Sequence, residues 1–121
     1  MSAFDWIALA GVGGLGAVAR FRLDAAVESR LTGEFPAGTF AVNISGSLTL
    51  GILTGLGVTG ALLFVLGTGF LGSYTTFSTW IFETQRLEED GETTFAVWNL
   101  VASTAAGLLA AGAGWGLGAL L

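Results

Sequence analysis

The sequence predicts an all-α membrane protein with four transmembrane helices per chain, the third of them broken. Three observations carry this. Of the 121 residues, 53% are hydrophobic and only 11% charged, less than half the roughly 25% charged share of a soluble domain. Apolar runs fall at about 4–22, 38–59, 61–82 and 95–120, each near the ~20 residues that a ~30 Å hydrocarbon core asks of a helix. The third run contains "GFLGSYTTFSTW", residues 69–80, where Ser73, Tyr74, Thr75, Thr76, Ser78 and Thr79 crowd hydroxyls into an oily segment. Helices are expected because unpaired backbone groups cannot face lipid. The chain reads as a single four-span membrane domain over residues 1–121.

The first span, "FDWIALAGVGGLGAVAR", resembles a signal peptide only in its oiliness. It has no positive n-region, and Asp5 stands where Lys or Arg would be expected, so it reads as a retained span. Arg20 lies near its end. It is either a snorkelling interfacial cation or an anion attractor at a pore mouth. "RLDAAVESRLTGEFPAG" then links the first pair of spans, and only "GVTGA" links the second and third, a tight helical hairpin with Gly57 and Gly60.

The second span carries Asn43 in "GTFAVNISGS". An amide in lipid must find a partner, so it faces protein or a water-filled path. It is interhelical glue or an anion donor, with Thr39, Ser45 and Ser47 nearby.

The third span is a poor straight helix. Gly costs about 1 kcal/mol relative to Ala in a helix interior, and Ser and Thr compete for backbone hydrogen bonds. The alternative is an intact helix whose hydroxyls bond back to their own turns. The expected break lies between Gly72 and Thr75, tolerated at that depth only if buried in protein or lining a cavity. Beyond it, Phe77 and Trp80 lie three apart on one helix face, with Thr76 and Thr79 beside them. Their ring edges carry partial positive charge that an anion could follow. "QRLEEDGETT" leads to the fourth span, rich in Gly and Ala. Small-xxx-small pairs such as Gly13 with Ala17, Gly51 with Gly55 and Gly112 with Gly116 read as helix-packing faces. Four short spans are too few to enclose a pore comfortably, so a dimer or larger oligomer is the expected working unit.

Composition narrows the chemistry. With no Cys, no His and no paired embedded carboxylates, the chain is not expected to be an enzyme. The four cations are all Arg and the net charge is −5, so no nucleic-acid partner is expected. A small four-span multidrug or cation exchanger would need a membrane-embedded carboxylate, and only Asp5 and Glu83 come near. A non-conducting assembly subunit would need the Gly-rich faces alone, which leaves the hydroxyl-rich break and Asn43 without a role.

Three blocks, "GGLGAVARF", "GTFAVNISGS" and "GFLGSYTTFSTWIFET", together resemble the signature segments of the Fluc (CrcB) fluoride-channel family across roughly residues 11–84. The fourth span is similar only in character. The resemblance implies a fluoride-selective channel of the plasma membrane, an antiparallel dual-topology dimer with two pores, passive export of fluoride, and a structural sodium ion at the centre. It implies that Gly72 and Thr75 offer backbone carbonyls to sodium, that Phe77 is one aromatic of the pore-lining box, that Asn43 donates to fluoride and that Arg20 is the vestibule cation. Ser78 and Thr79 fall in the hydroxyl stretch, Glu83 matches an acidic position beyond it, and Ser103 is the candidate for a polar track on span four. Two departures stand out. The second box aromatic, usually Phe, is Trp80, larger and with an added N–H donor. All four Arg lie at one end of the bundle, which would fix the orientation. A fixed orientation would call for an oppositely oriented paralogue as partner; the alternative is a homodimer, with lipid around either.

Overall fold

The computed structural model describes all of residues 1–121 and is entirely helical. Four helical spans are long and apolar enough to cross a membrane. The first is α1, Ala3–Arg30, and the second is α2, Ala37–Gly55. The third begins as α3 (Gly60–Leu63), widens into a π-helix (Phe64–Leu71), returns to a short turn α4 (Gly72–Tyr74) and, after a break, ends in α5 (Ser78–Glu89). The fourth is α6, Thr93–Leu120.

Local chemistry sets the ends. Ser2 and Asp5 form a reciprocal capping box at the start of α1, which accounts for an acid at the beginning of an oily span. At 1.5 Å per residue, the 28 residues of α1 reach about 42 Å. Its last turns therefore project beyond a ~30 Å core and carry Arg22, Glu28 and Arg30 into the polar zone. Helix α2 starts after Pro36 with no side-chain cap of its own. Glu28, on α1, accepts the Gly38 N–H at 2.9 Å instead, placing a carboxylate at the positive end of the helix dipole. The α2–α3 hairpin turns on Gly57 and Gly60, with φ of +82° and +65°, as its glycines suggest.

Glycine contacts, not large buried side chains, hold the spans together. Helix α2 packs most extensively on α6. A Cβ on Gly51 would strike the Ala111 carbonyl, and one on Gly55 the Trp115 carbonyl. From the other side, a Cβ on Gly114 would strike the Leu48 carbonyl, and one on Gly118 the Ile52 carbonyl. Two small-xxx-small faces thus meet reciprocally, the close approach by which helices associate in lipid. The pair Gly51 and Gly55 packs as the sequence suggests. The pair Gly112 and Gly116 does not: both face open space, and the working face of α6 is two residues out of phase. On α1 the tight contact is Gly16 against the Phe70 carbonyl. A Cβ on Gly13 would meet the tip of Ser73 at 3.2 Å and the Gly69 carbonyl at 3.5 Å. What remains as a buried apolar centre is small: Val42, Leu71 and Tyr74, with Ala19, Leu23, Leu53 and Phe70 against them.

Candidate functional site

The helix of the third span lapses at Thr75, which is extended (φ −81°, ψ 160°), and resumes at Ser78. The interruption thus covers residues 75–77, just beyond the Gly72–Thr75 interval expected from sequence. Gly72 itself stays helical. The preceding residues, Phe64–Leu71, form a π-helix, a distortion frequent at functional sites and one that the sequence pattern does not foretell.

The freed backbone is met by Asn43. Its Nδ2 donates to the Thr76 carbonyl and its Oδ1 accepts the Thr76 N–H, both at 2.8 Å. A carboxamide presents a donor and an acceptor side by side, so it pairs with a peptide unit as another peptide would. The hydroxyls divide their work. Thr75 bonds back to the Leu71 carbonyl at 2.8 Å. Thr76 accepts the Thr79 N–H at 3.2 Å and so caps α5. Buried Tyr74 shares a 2.8 Å hydrogen bond with Ser45 and stacks on Phe70 at 5.8 Å. No hydrogen bond of the break ends on the carbonyls of Gly72 or Thr75.

Three cavities surround this joint. One of about 110 Å³ is lined by Arg20, Asp24, Thr39, Thr76 and Thr79 among others. Here the Arg20 Nε is buried without a hydrogen-bond partner, and Asp24 shares the same cavity wall. A second, of about 350 Å³, includes Asn43, Ser47, Gly72, Thr75, Phe77 and Trp80. A third, of about 360 Å³, runs along α6 past Ser103, Thr104 and Gly107 and includes Asn43, Ser47 and Trp80. Thr76 belongs to the first two, and Asn43 and Trp80 to the last two, so polar lining runs from Arg20 past the break to Ser103. Phe77 and Trp80 meet edge to face, with centroids 5.6 Å apart and planes at 78°. The Phe77 ring is otherwise uncovered, 71% exposed.

Two expected residues stand apart from this lining. Ser78 is exposed and borders none of the three cavities. Glu83 lies beyond them and accepts a hydrogen bond from the Thr39 hydroxyl, so it reaches the Arg20 cavity only through Thr39. The Trp80 N–H is not the free donor its residue type suggested. It is committed to the Asn99 carbonyl at 2.9 Å. Asn99, fully buried on α6, is a residue that the sequence reading does not single out. Its mark is the same as that of Asn43, an amide inside an apolar run.

Comparison with known proteins gives a consistent result. Residues 7–115 match the family described as CrcB-like protein, Camphor Resistance (CrcB). The chain is 49% identical over 106 residues to the fluoride-specific ion channel FluC 2 of Mycobacterium tuberculosis (strain H37Rv), covering 88% of this chain and 84% of that protein. It is 47% identical over 120 residues to the fluoride-specific ion channel FluC 1 of Symbiobacterium thermophilum, covering 94% and 97%. It is 44% identical over 114 residues to the fluoride-specific ion channel FluC 1 of Streptomyces avermitilis, covering 91% and 92%.

Proposed function

Because the chain belongs to the CrcB family, we infer that it is a fluoride-selective ion channel, a multi-pass protein of the plasma membrane and not an enzyme. The observation that carries the reading within this chain is the joint at residues 75–77: a broken helix spliced by Asn43, bordered by hydroxyls and by the edge-to-face pair of Phe77 and Trp80. Fluoride is small and costly to dehydrate, so a selective route needs several convergent weak donors and no single trap. Arg20 draws the anion to the first cavity, and the Thr76 and Thr79 hydroxyls stand along it, the Thr39 hydroxyl being engaged by Glu83. Ring edges then offer partial positive charge without a full cation. The second N–H of Asn43, not engaged by Thr76, donates to the ion, and Ser103 continues the polar track. Export is passive, down the fluoride gradient.

The working unit is a dimer of oppositely oriented chains, which covers the exposed ring of Phe77 and provides two pores. A sodium ion at its centre fits the donor set. The Gly72 and Thr75 carbonyls lack hydrogen bonds, border an open cavity and are the hard oxygen ligands an alkali cation takes. Two carbonyls from each of two chains would hold it, and its charge would fix the broken helices to one another. Replacing sodium by N-methylglucamine on both sides of a reconstituted membrane is then expected to slow fluoride flux and loosen the dimer. Unchanged flux after exhaustive sodium removal would take the ion out of the account.

Proteoliposomes loaded with potassium fluoride, followed by a fluoride electrode after valinomycin, test the function itself. Fluoride efflux with no matching chloride efflux is expected; absence of fluoride efflux from a folded, reconstituted protein refutes it.

A further inference from the structure

We propose that Asn99 is a positioning residue for conduction, fixing the indole of Trp80 against the fourth span so that its edge is presented to the anion route in one pose. The proposal rests on the fluoride-channel reading above.

Asn99 is completely buried on α6, in a chain with very few buried polar groups. Such an amide persists only if its hydrogen bonds are met. Its Oδ1 accepts the Ser103 hydroxyl one turn further along α6 at 3.5 Å, and its Nδ2 is met by α5. Asn99 Nδ2 donates to the Thr84 hydroxyl at 2.8 Å and to the Trp80 carbonyl at 3.3 Å. The Thr84 hydroxyl in turn donates to the same Trp80 carbonyl at 2.9 Å. The backbone carbonyl of Asn99 accepts the indole N–H at 2.9 Å. One residue of α6 therefore grips Trp80 at both ends, main chain and ring.

This grip has a consequence for the ring. An indole is larger than a phenyl ring and could swing into the cavities that Trp80 borders with Asn43 and Ser47. Tying Nε1 to α6 removes that freedom. It also spends the one strong donor of the ring on protein, so what faces Phe77 and the cavities is carbon and its weakly positive edge. A free indole N–H would bind a dehydrated anion more tightly than an edge does and hold it. The Asn99 side chain keeps α5 in register with α6, which holds the Asn99 carbonyl within reach of Nε1. A Phe at position 80 has no such bond to lose.

The test uses the full chain with Trp6, Trp98 and Trp115 replaced by Phe. All three side chains are more than half exposed, and the replacement leaves Trp80 as the sole emitter. In this parent, Asn99→Leu is expected to slow fluoride efflux about tenfold or more, because a displacement near 1 Å at a reacting group costs up to about a hundredfold. Trp80 emission should shift and its anisotropy fall in the same variant. When Trp80→Phe is added, Asn99→Leu should change efflux by no more than about twofold, the scatter of independent sites. Either readout unmoved by Asn99→Leu overturns the proposal, as does an equal slowing in the Trp80→Phe background. Should Asn99→Leu fail to give a monodisperse protein, Thr84→Val, which removes one of the two groups that Asn99 grips, is measured in the same way and judged by the same outcomes. Absence of fluoride efflux from the wild-type chain would refute the channel reading, while the emission arm, measured in the parent, would still decide whether Asn99 sets the pose of the ring.

Discussion

At the scale of single residues, the joint depends on what each group can donate and accept. Asn43 gives Thr76 both a donor and an acceptor. Asn43→Asp keeps the shape but loses the donor, sets two oxygens near the Thr76 carbonyl and adds a negative charge beside the anion route. Conduction should fall to background in the fluoride-electrode assay, and normal throughput would remove Asn43 from the pore. Phe77 is different in kind. Its side chain makes no hydrogen bond, and its ring is largely exposed within one chain. Phe77→Ile keeps bulk and hydrophobicity but removes the polarised edge, so fluoride flux should vanish while gel filtration still shows an intact dimer. Undiminished flux would count heavily against conduction along ring edges. Most of these residues were legible because a polar group in an apolar run needs an explanation. Arg20, Asn43, Thr79, Trp80 and Ser103 all border the cavities. Their partners were not legible. Asn43 finds Thr76 across 33 positions, and Trp80 finds Asn99 across 19. Nothing local in a sequence says which of several hydroxyls or carbonyls a side chain will meet. The N–H that Trp adds over Phe is therefore an attribute of the residue type that the fold spends on Asn99.

At the scale of elements, the four spans follow from length and hydropathy, and the lapse of the third follows from Gly next to consecutive Thr. The π-helix does not, because its extra residue per turn is a response to packing and leaves no periodic trace. The pairing of glycines on α6 is also a matter of phase. Every second residue from Gly112 to Gly118 is Gly, so two small-xxx-small faces coexist on that helix and only contact chooses between them. The choice is testable. Gly114→Val and Gly118→Val place side chains against the carbonyls of Leu48 and Ile52, where overpacking costs about 1–3 kcal/mol each. The temperature at which the detergent-solubilised protein loses its monodisperse peak should drop accordingly. Gly112→Ala meets nothing within one chain and relieves a helical glycine of up to about 1 kcal/mol, so that temperature should hold or rise. A loss with Gly112→Ala equal to that with Gly114→Val would mean that the assignment of the α2–α6 face is wrong.

At the scale of the whole molecule, charge decides how the chain sits in the membrane. Arg20, Arg22 and Arg30 lie at the end of α1 and Arg86 at the end of α5, one end of the bundle, while the α2–α3 hairpin and both termini carry no Arg at all. Three of the four are exposed, and Arg20 is held partly buried at its cavity. Even without Arg20, the bias is three to none, and positive charge near the ends of spans selects the cytoplasmic side. The eight acids at the same end, Asp24 through Glu92, do little to offset this, because the rule counts cations and not net charge. Both termini should therefore face outward in every copy. A C-terminal alkaline phosphatase fusion should be active and a C-terminal fluorescent-protein fusion dark, and equal signal from both would refute fixed orientation. Adding cations to the hairpin, with Val58→Lys and Thr59→Lys, should cut the bias to three against two, Arg20 aside, and give signal from both reporters. Fixed orientation has a functional corollary. An antiparallel dimer cannot form in the cell from copies that all insert one way, whereas reconstitution from detergent lets copies enter the bilayer both ways; the wild-type chain expressed alone should therefore carry little fluoride in cells while conducting in proteoliposomes, and the hairpin variant should carry more in cells. If the wild-type chain alone already conducts as well as the hairpin variant, the arginine asymmetry does not govern assembly and an oppositely oriented paralogue is not required.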